Sequence, residues 1–411
     1  MTKPVEAPAD LGQPFPWSRG TYDPSPVYEF LRENEPIKRV IMRDGTPAWL
    51  VTRYDDVRAI LGDPRVSAAE ETPGFPQSVP GFPVSAPEDR LFLRMDPPRH
   101  TVFRRLLGKH FVVKRIDALR PRIQQLVDDQ LDAMLAKEAP VDFVREFALP
   151  VPSTVISWVL GVHPEDHPFF NRESEKLLEV TAGNISPENI ASSLQARANL
   201  MNLIDELVKE REVLDDPGDD ILGDMVRASR EEVIDRRDII NTGWLLLVAG
   251  HETTASMTAL GTLTLLEHPD QLAELRANPE LIPAAIEELL RYLSIVHLII
   301  MRIAAEDIEI GGVTIPAGEG IIPLNISANR DDAHYPNAAS LDIHRNVRDH
   351  FAFGYGVHQC IGQPLARAEL HVIFETLLRR VPTLSLAIDP SEVPFKTEAT
   401  INGVFNLPVK W

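Results

Sequence analysis

Along most of this 411-residue chain, apolar residues recur with the spacing of helices rather than strands. The clearest run extends from 235 to 267. Asp235, with Asp238 three residues on, supplies a capping signature at its start, and His268-Pro269 stops it. The pattern predicts one continuous helix, roughly 50 Å long at about 1.5 Å per residue. Its middle, Trp244-Leu245-Leu246-Leu247-Val248-Ala249, is apolar on every face, so it should run through the core. Shorter amphipathic patterns predict helices over residues 122–137 and 196–211. Strand signals are few: residues 48–52, and a hairpin of Ile308-Glu309-Ile310 and Val313-Thr314-Ile315 around Gly311-Gly312. Prolines crowd residues 72–83, which excludes a regular helix or central strand and predicts a long shaped loop. The expected fold is mainly α with a minor β part. A single domain is expected over residues 1–411, with a short flexible N-terminal segment to about residue 20.

The apolar core of the long helix is interrupted by Gly250-His251-Glu252-Thr253-Thr254. Polar groups inside a buried helix cost stability unless they are satisfied or used. Either Thr253 bonds back to the Ala249 carbonyl and Glu252 reaches a counter-charge, or the segment does chemistry.

Composition narrows the function. At 44% hydrophobic and 25% charged the chain is an ordinary globular sequence, and a net charge of -20 argues against a nucleic-acid partner. The N-terminus has no apolar run of a signal peptide or membrane anchor, so a cytoplasmic protein is expected. Residues 97–116 invert the local sign: they hold Arg99, Arg104, Arg105, Lys109, Lys114 and Arg115 and no acid. That stretch is either a solvated helix face or an anion-binding surface. An acidic turn over residues 215–220 could pass for a linker. It is not read as one, because residues assigned below to a single ligand lie on both sides.

Cys360 is the only cysteine, so no intrachain disulfide exists. It lies in Phe351-Ala352-Phe353-Gly354-Tyr355-Gly356-Val357-His358-Gln359-Cys360-Ile361-Gly362. Free cysteines are usually buried and inert. Here glycines that permit tight turning, an aromatic and a histidine suit a loop presenting one thiolate to a metal beside a flat ligand. The pattern Phe353-x-x-Gly356-x-x-x-Cys360-x-Gly362, with His358 inside it, resembles the haem-binding loop of the cytochrome P-450 family. The resemblance runs from about residue 20 to the C-terminus and is strongest to soluble actinobacterial members that hydroxylate secondary metabolites and xenobiotics. It implies a cytochrome P-450-like fold with haem b buried between the long helix and the Cys loop. Cys360 would then be the axial iron ligand, with Phe353 beside the cofactor.

Further positions follow from the same resemblance. Ala249-Gly250-x-Glu252-Thr253-Thr254 is similar to the family's oxygen-binding segment. That implies a helix loosened over the iron, a Thr253 hydroxyl serving oxygen activation, and Glu252 relaying protons. His100, Arg104, Arg302 and His358 stand where the family places ligands of the haem propionates. Glu288-Leu289-Leu290-Arg291 resembles the family's Glu-x-x-Arg support behind the haem, with Arg345 as its third member. The substrate wall implied includes the proline-rich loop, residues 169–187, Leu245, Val248, Ala249, Val296, Ile299 and Ile401. These are mostly aliphatic, so the ligand should be apolar and of small to medium size.

The expected activity is hydroxylation with dioxygen by a monomeric haem monooxygenase. Without a fused flavin or nicotinamide domain, electrons would come from NAD(P)H through ferredoxin reductase and a ferredoxin. Lys109, His110 and Arg115 would attract that acidic partner. The alternatives are a nitric oxide reductase, a peroxygenase or a non-catalytic haem sensor. Residues 147–153 and 327–331 share phrases with the reductase branch, but that branch lacks the acid that Glu252 supplies.

Overall fold

The computed structural model describes residues 7–77, 86, 89–181 and 186–411. Its axis is the helix Arg236–Leu266, within one residue of the predicted span at each end. The Asp235 carboxylate accepts from the Asp238 N–H at 2.8 Å, and Asp238 accepts from the Asp235 N–H at 3.0 Å. This reciprocal cap satisfies two N–H groups that have no partner inside the helix. The helices Pro150–Leu160, Pro187–Glu212, Ile282–Leu293 and Gln363–Arg380 pack around it. From Thr254 to Leu265 every residue of the central helix is buried.

Two predicted helices are longer than their sequence signals. The first covers Val113–Leu135 and continues through Pro121, the residue before its expected start at 122. A proline inside a helix removes one backbone bond but does not end it when packing holds both sides; here Ile116 and Ile123 are both buried. The second begins at Pro187, behind a Ser186 side chain that accepts from the Asn189 N–H at 3.1 Å.

The largest sheet has the strand order Ile37–Ile41, Pro47–Val51, Gly320–Pro323, Arg302–Ala304, Val66–Ser67. Pro47–Val51 and Gly320–Pro323 run parallel and the other pairs antiparallel. The predicted hairpin forms with Ile308 opposite Ile315, and Gly311 and Gly312 both take positive φ in its turn. Of the proline-rich stretch, residues 72–77 are described and contain no helix or strand, while 78–83 lie outside the described residues, as do 182–185.

Within the expected flexible segment to residue 20, the stretch from Phe15 to Arg19 is anchored. Phe15 and Trp17 are buried in a core beside the sheet, and the Phe15 N–H donates to the Ile41 carbonyl at 2.8 Å. Two aromatic side chains bury enough apolar surface to hold this part of the chain down.

Behind the Cys loop, Arg291 and Glu288 are fully buried and pair at 2.7 Å, and Arg345 joins the same Glu288 oxygen at 3.2 Å. Arg291 also donates to the Asn329 and Ala338 carbonyls, so its guanidinium ties the helix to the segment before the loop. Among the described residues no helix is long and apolar enough to cross a membrane.

Candidate active site

A cavity of about 280 Å³ lies between the central helix and the Cys loop. Leu245, Ala249, Gly250 and Thr253 form one wall, Phe353 and Cys360 the opposite one, with Val296 and Ile299 at the side. At about 100° per residue, the lining positions 245, 246, 249, 250, 253, 254 and 257 share one half of the helix.

Two residues expected at the substrate do not line the cavity. Val248 falls about 60° outside that arc and packs into the main core. Ile401 is buried one layer back, bridged by its backbone to Val296. In their place stand Phe92, Leu93, Ile156 and Met257, which carry no sequence signal of their own.

The helix does not loosen at Gly250 as the resemblance implies; it remains α-helical from Gly250 through Thr254. A Cβ at Gly250 would stand 2.8 Å from Ile156 Cγ1, so the glycine admits a neighbouring helix. Thr253 lines the cavity and donates its hydroxyl to the Ala249 carbonyl at 2.8 Å. Glu252 points off the lining arc into the protein, 3.6 Å from Lys396 Nζ. That is an ion pair without a direct hydrogen bond. Burial drives the Glu252 carboxyl up to about 7, against the pull of Lys396.

The Cys loop is shaped by Gly354 and Gly356, both at positive φ. A Cβ on Gly356 would lie 2.4 Å from the Leu61 carbonyl oxygen, so only glycine lets the loop seat there. The Cys360 N–H donates to the Phe353 carbonyl at 2.8 Å, which closes the loop. Phe353 is held by the Arg367 guanidinium, 4.6 Å from its ring centre, and Arg367 is itself fixed by Glu287 at 2.6 Å. Cys360 is exposed where it faces the cavity, yet the protein packed around it disfavours the charged form and pushes the thiol up, opposed by the amides of Gly362 and Gln363 and by Arg104 and Arg367. A thiol in that balance is deprotonated by a bound metal ion.

One end of the cavity gathers His100, Arg104, Arg302 and His358. The two imidazoles are 4.2 Å apart between centres. Burial and the neighbouring guanidiniums hold His100 down at about 4 and His358 at about 3, and burial and Arg94 lower Arg302 to about 10. Arg104 donates to the Gln359 carbonyl at 2.8 Å, bracing the residue before Cys360, and Arg302 donates to the Met301 carbonyl. His358 Nδ1 is buried and has no partner among the described residues. Asp96 is the acid facing this group, and its oxygens accept from Ser67 and Ala68. Bases crowded enough to depress one another fit a ligand carrying two carboxylates, as haem does. The sequence reading missed Arg94, which pairs with Glu70 and adds to the same positive field. Its signal was a base two residues before Asp96, at the head of the recognised segment.

The basic stretch 97–116 is acid-free in sequence but not in space. His110 is buried and bonded to Asp224 at 2.5 Å, Lys109 reaches the same carboxylate at 2.9 Å, and Arg115 pairs with Asp219 at 2.8 Å. The acidic segment around 215–224 folds back onto it. The expectation that His110 faces a partner is therefore corrected, and Lys109 and Arg115 are already paired.

Comparison with known proteins agrees with this geometry. Residues 25–403 match the family model for cytochrome P450. Cytochrome P450-SU2 of Streptomyces griseolus is 48% identical over 390 residues, covering 95% of this chain and 94% of that protein. Vitamin D3 dihydroxylase of the same species is 44% identical over 417 residues, with full coverage of both. The crystal structure of GfsF, a cytochrome P450 of Streptomyces halstedii, superposes with a TM-score of 0.89 at 43% identity, covering 97% of this chain and 100% of that one. The chain belongs to the cytochrome P450 family. It is a haem-dependent monooxygenase with the fold of the bacterial members.

Proposed function

We propose that this protein hydroxylates an apolar organic molecule of small to medium size, of natural-product or xenobiotic type. Dioxygen would be the oxidant, and electrons would reach the site from NAD(P)H through ferredoxin reductase and a ferredoxin. The observation that carries the reading is one cavity holding the sole cysteine, a threonine opposite it, aliphatic walls and a rim of bases. One relative, the vitamin D3 dihydroxylase, is named for an apolar organic substrate, which supports this class.

In this reading the whole chain acts as one haem-binding domain. Cys360 Sγ would hold the iron, His100, Arg104, Arg302 and His358 would hold the propionates, and Phe353 would border the cofactor. The haem would supply oxygen-activating redox chemistry. Leu245, Ala249, Val296 and Ile299 exclude water and orient the substrate. Thr253 Oγ1 keeps a hydroxyl proton at the cavity wall. Glu252, with a proton affinity matched to about pH 7, takes protons from the solvent side and passes them inward.

Cys360→Ala tests the assignment. Reduced, carbon-monoxide-treated protein should show the red-shifted Soret band of thiolate ligation, and the variant should lose both that band and product formation. With no second cysteine to supply a thiolate, a variant that kept the band would overturn the reading.

A further inference from the structure

We propose that Lys396 governs the proton supply to Glu252, and that the turn carrying it, residues 395–404, is the solvent-side end of the proton path. The proposal rests on the reading of Glu252 as a proton carrier. Among the described residues, Lys396 is the charged group that faces the Glu252 carboxyl, at 3.6 Å. The titratable neighbour on the helix, His251, is buried against Phe170 and held neutral, at about 4, by burial and by Lys396 itself. The lysine side chain is 13% exposed and the glutamate 4%, so the pair spans the step from protein surface to interior.

The fold builds this contact deliberately. Phe395 and Val404 bridge across the turn, and the Lys396 N–H donates to the Gly403 carbonyl at 2.9 Å. Gly403 lies against Ser256, one helical turn beyond Glu252. A Cβ there would stand 2.8 Å from Ser256 Oγ and 3.5 Å from Lys396 Cδ. The missing side chain lets the turn settle on the central helix with the lysine stem alongside. Next to it, Asn402 is fully buried with neither amide atom partnered among the described residues. A buried amide without a protein partner is a place for water. Glu252 Oε1 likewise has no hydrogen-bond partner among the described residues.

The chemistry balances as a simple proton shuttle. Neutral Glu252 gives its proton toward the cavity and becomes a carboxylate, which the Lys396 ammonium neutralises. A solvent proton then restores the acid, and Lys396 stays charged throughout. Without the ammonium, the carboxylate would be formed at a buried site with no counter-charge. The proton would then be held more tightly and released later.

The test uses haem-loaded Lys396→Met, Lys396→Arg and Glu252→Gln proteins. Infrared difference titration follows the carboxylic C=O band, identified as Glu252 by its absence in Glu252→Gln. The wild-type midpoint should lie near pH 7, shift upward by about one unit in Lys396→Met, and stay in place in Lys396→Arg. The pH profile of product formed per NADPH should move with it, and Lys396→Met should release several-fold more hydrogen peroxide at neutral pH. An unmoved infrared midpoint in Lys396→Met overturns the proposal, as does a shifted midpoint with wild-type coupling. If Glu252→Gln itself couples normally, it is the carrier role of Glu252 that fails, whatever the infrared midpoint does.

Discussion

The Thr253 hydroxyl is committed to the Ala249 carbonyl, and Thr258, Thr262 and Thr264 on the same helix make the same backward bond. The bond therefore carries no functional information; the position does, because the other three are buried away from the cavity. Thr253→Ala is expected to bind haem and substrate and to oxidise NADPH, with several-fold less product per NADPH and the balance as peroxide. Thr253→Ser should keep the wild-type ratio. Equal ratios in wild type and Thr253→Ala would reduce the residue to one more self-bonded helix threonine. The placement of Cys360 and Thr253 on the cavity wall, with Glu252 just off it, was legible through the family resemblance, because the motifs that carry it are short and local in the chain. Lys396 was not, since it meets Glu252 only through the folded position of a late turn, and no local pattern encodes that encounter.

At the scale of elements, Gly250 shows how a motif residue can have two explanations. Its place in the sequence suggested a loosened helix, whereas the structure shows a close crossing with the helix Pro150–Leu160. Alanine would gain about 1 kcal/mol of helix propensity but would push Ile156 from its seat, an overpacking of about 1–3 kcal/mol. Gly250→Ala should therefore lower the thermal midpoint, and adding Ile156→Val should restore part of the loss. Melting curves of the two proteins check this; a midpoint unchanged or raised in the single variant would show that the crossing has slack. Helix existence and the glycine hairpin were readable because 3.6-residue periodicity and turn chemistry are local. The start of the helix at Val113 and the neutralised basic stretch were not, because one depends on packing across Pro121 and the other on a distant acidic segment.

For the whole molecule, buried titratable groups set how stability follows pH. His297 is buried, bonded to the Tyr28 hydroxyl at 2.5 Å, and held at about 3 by burial and then by Arg19. Unfolded, it would take a proton near pH 6.5, so the unfolded chain binds more protons between those values. Its contribution is fully present above about 6.5 and is lost as pH falls. Glu252 runs the other way: raised to about 7, it favours the fold at low pH and loses that contribution as pH rises through about 7. The two slopes oppose each other, so the informative quantity is a difference. Relative to wild type, His297→Gln should lose one proton's worth of pH dependence between about pH 6.5 and 4, about 1.4 kcal/mol per unit, in urea melts. Parallel stability curves for the two proteins would place the buried imbalance elsewhere. The global fold was legible because one loop pattern carries it, while the anchoring of Phe15 and Trp17 depended on a core that no N-terminal pattern reveals.

The late turn has one more consequence. The Asn402 N–H donates to the Ile295 carbonyl, the His297 N–H to the Thr400 carbonyl, and Val296 is bridged to Ile401. The segment whose Val296 lines the cavity is thus stitched to the turn that presents Lys396. A guest bulky enough to press Val296 outward presses the whole stitched piece, and with it the ammonium beside Glu252. On the proposed proton path, reshaping that wall to admit a new molecule would also retime the arrival of protons, tying breadth of diet and economy of oxygen use to the same few backbone bonds.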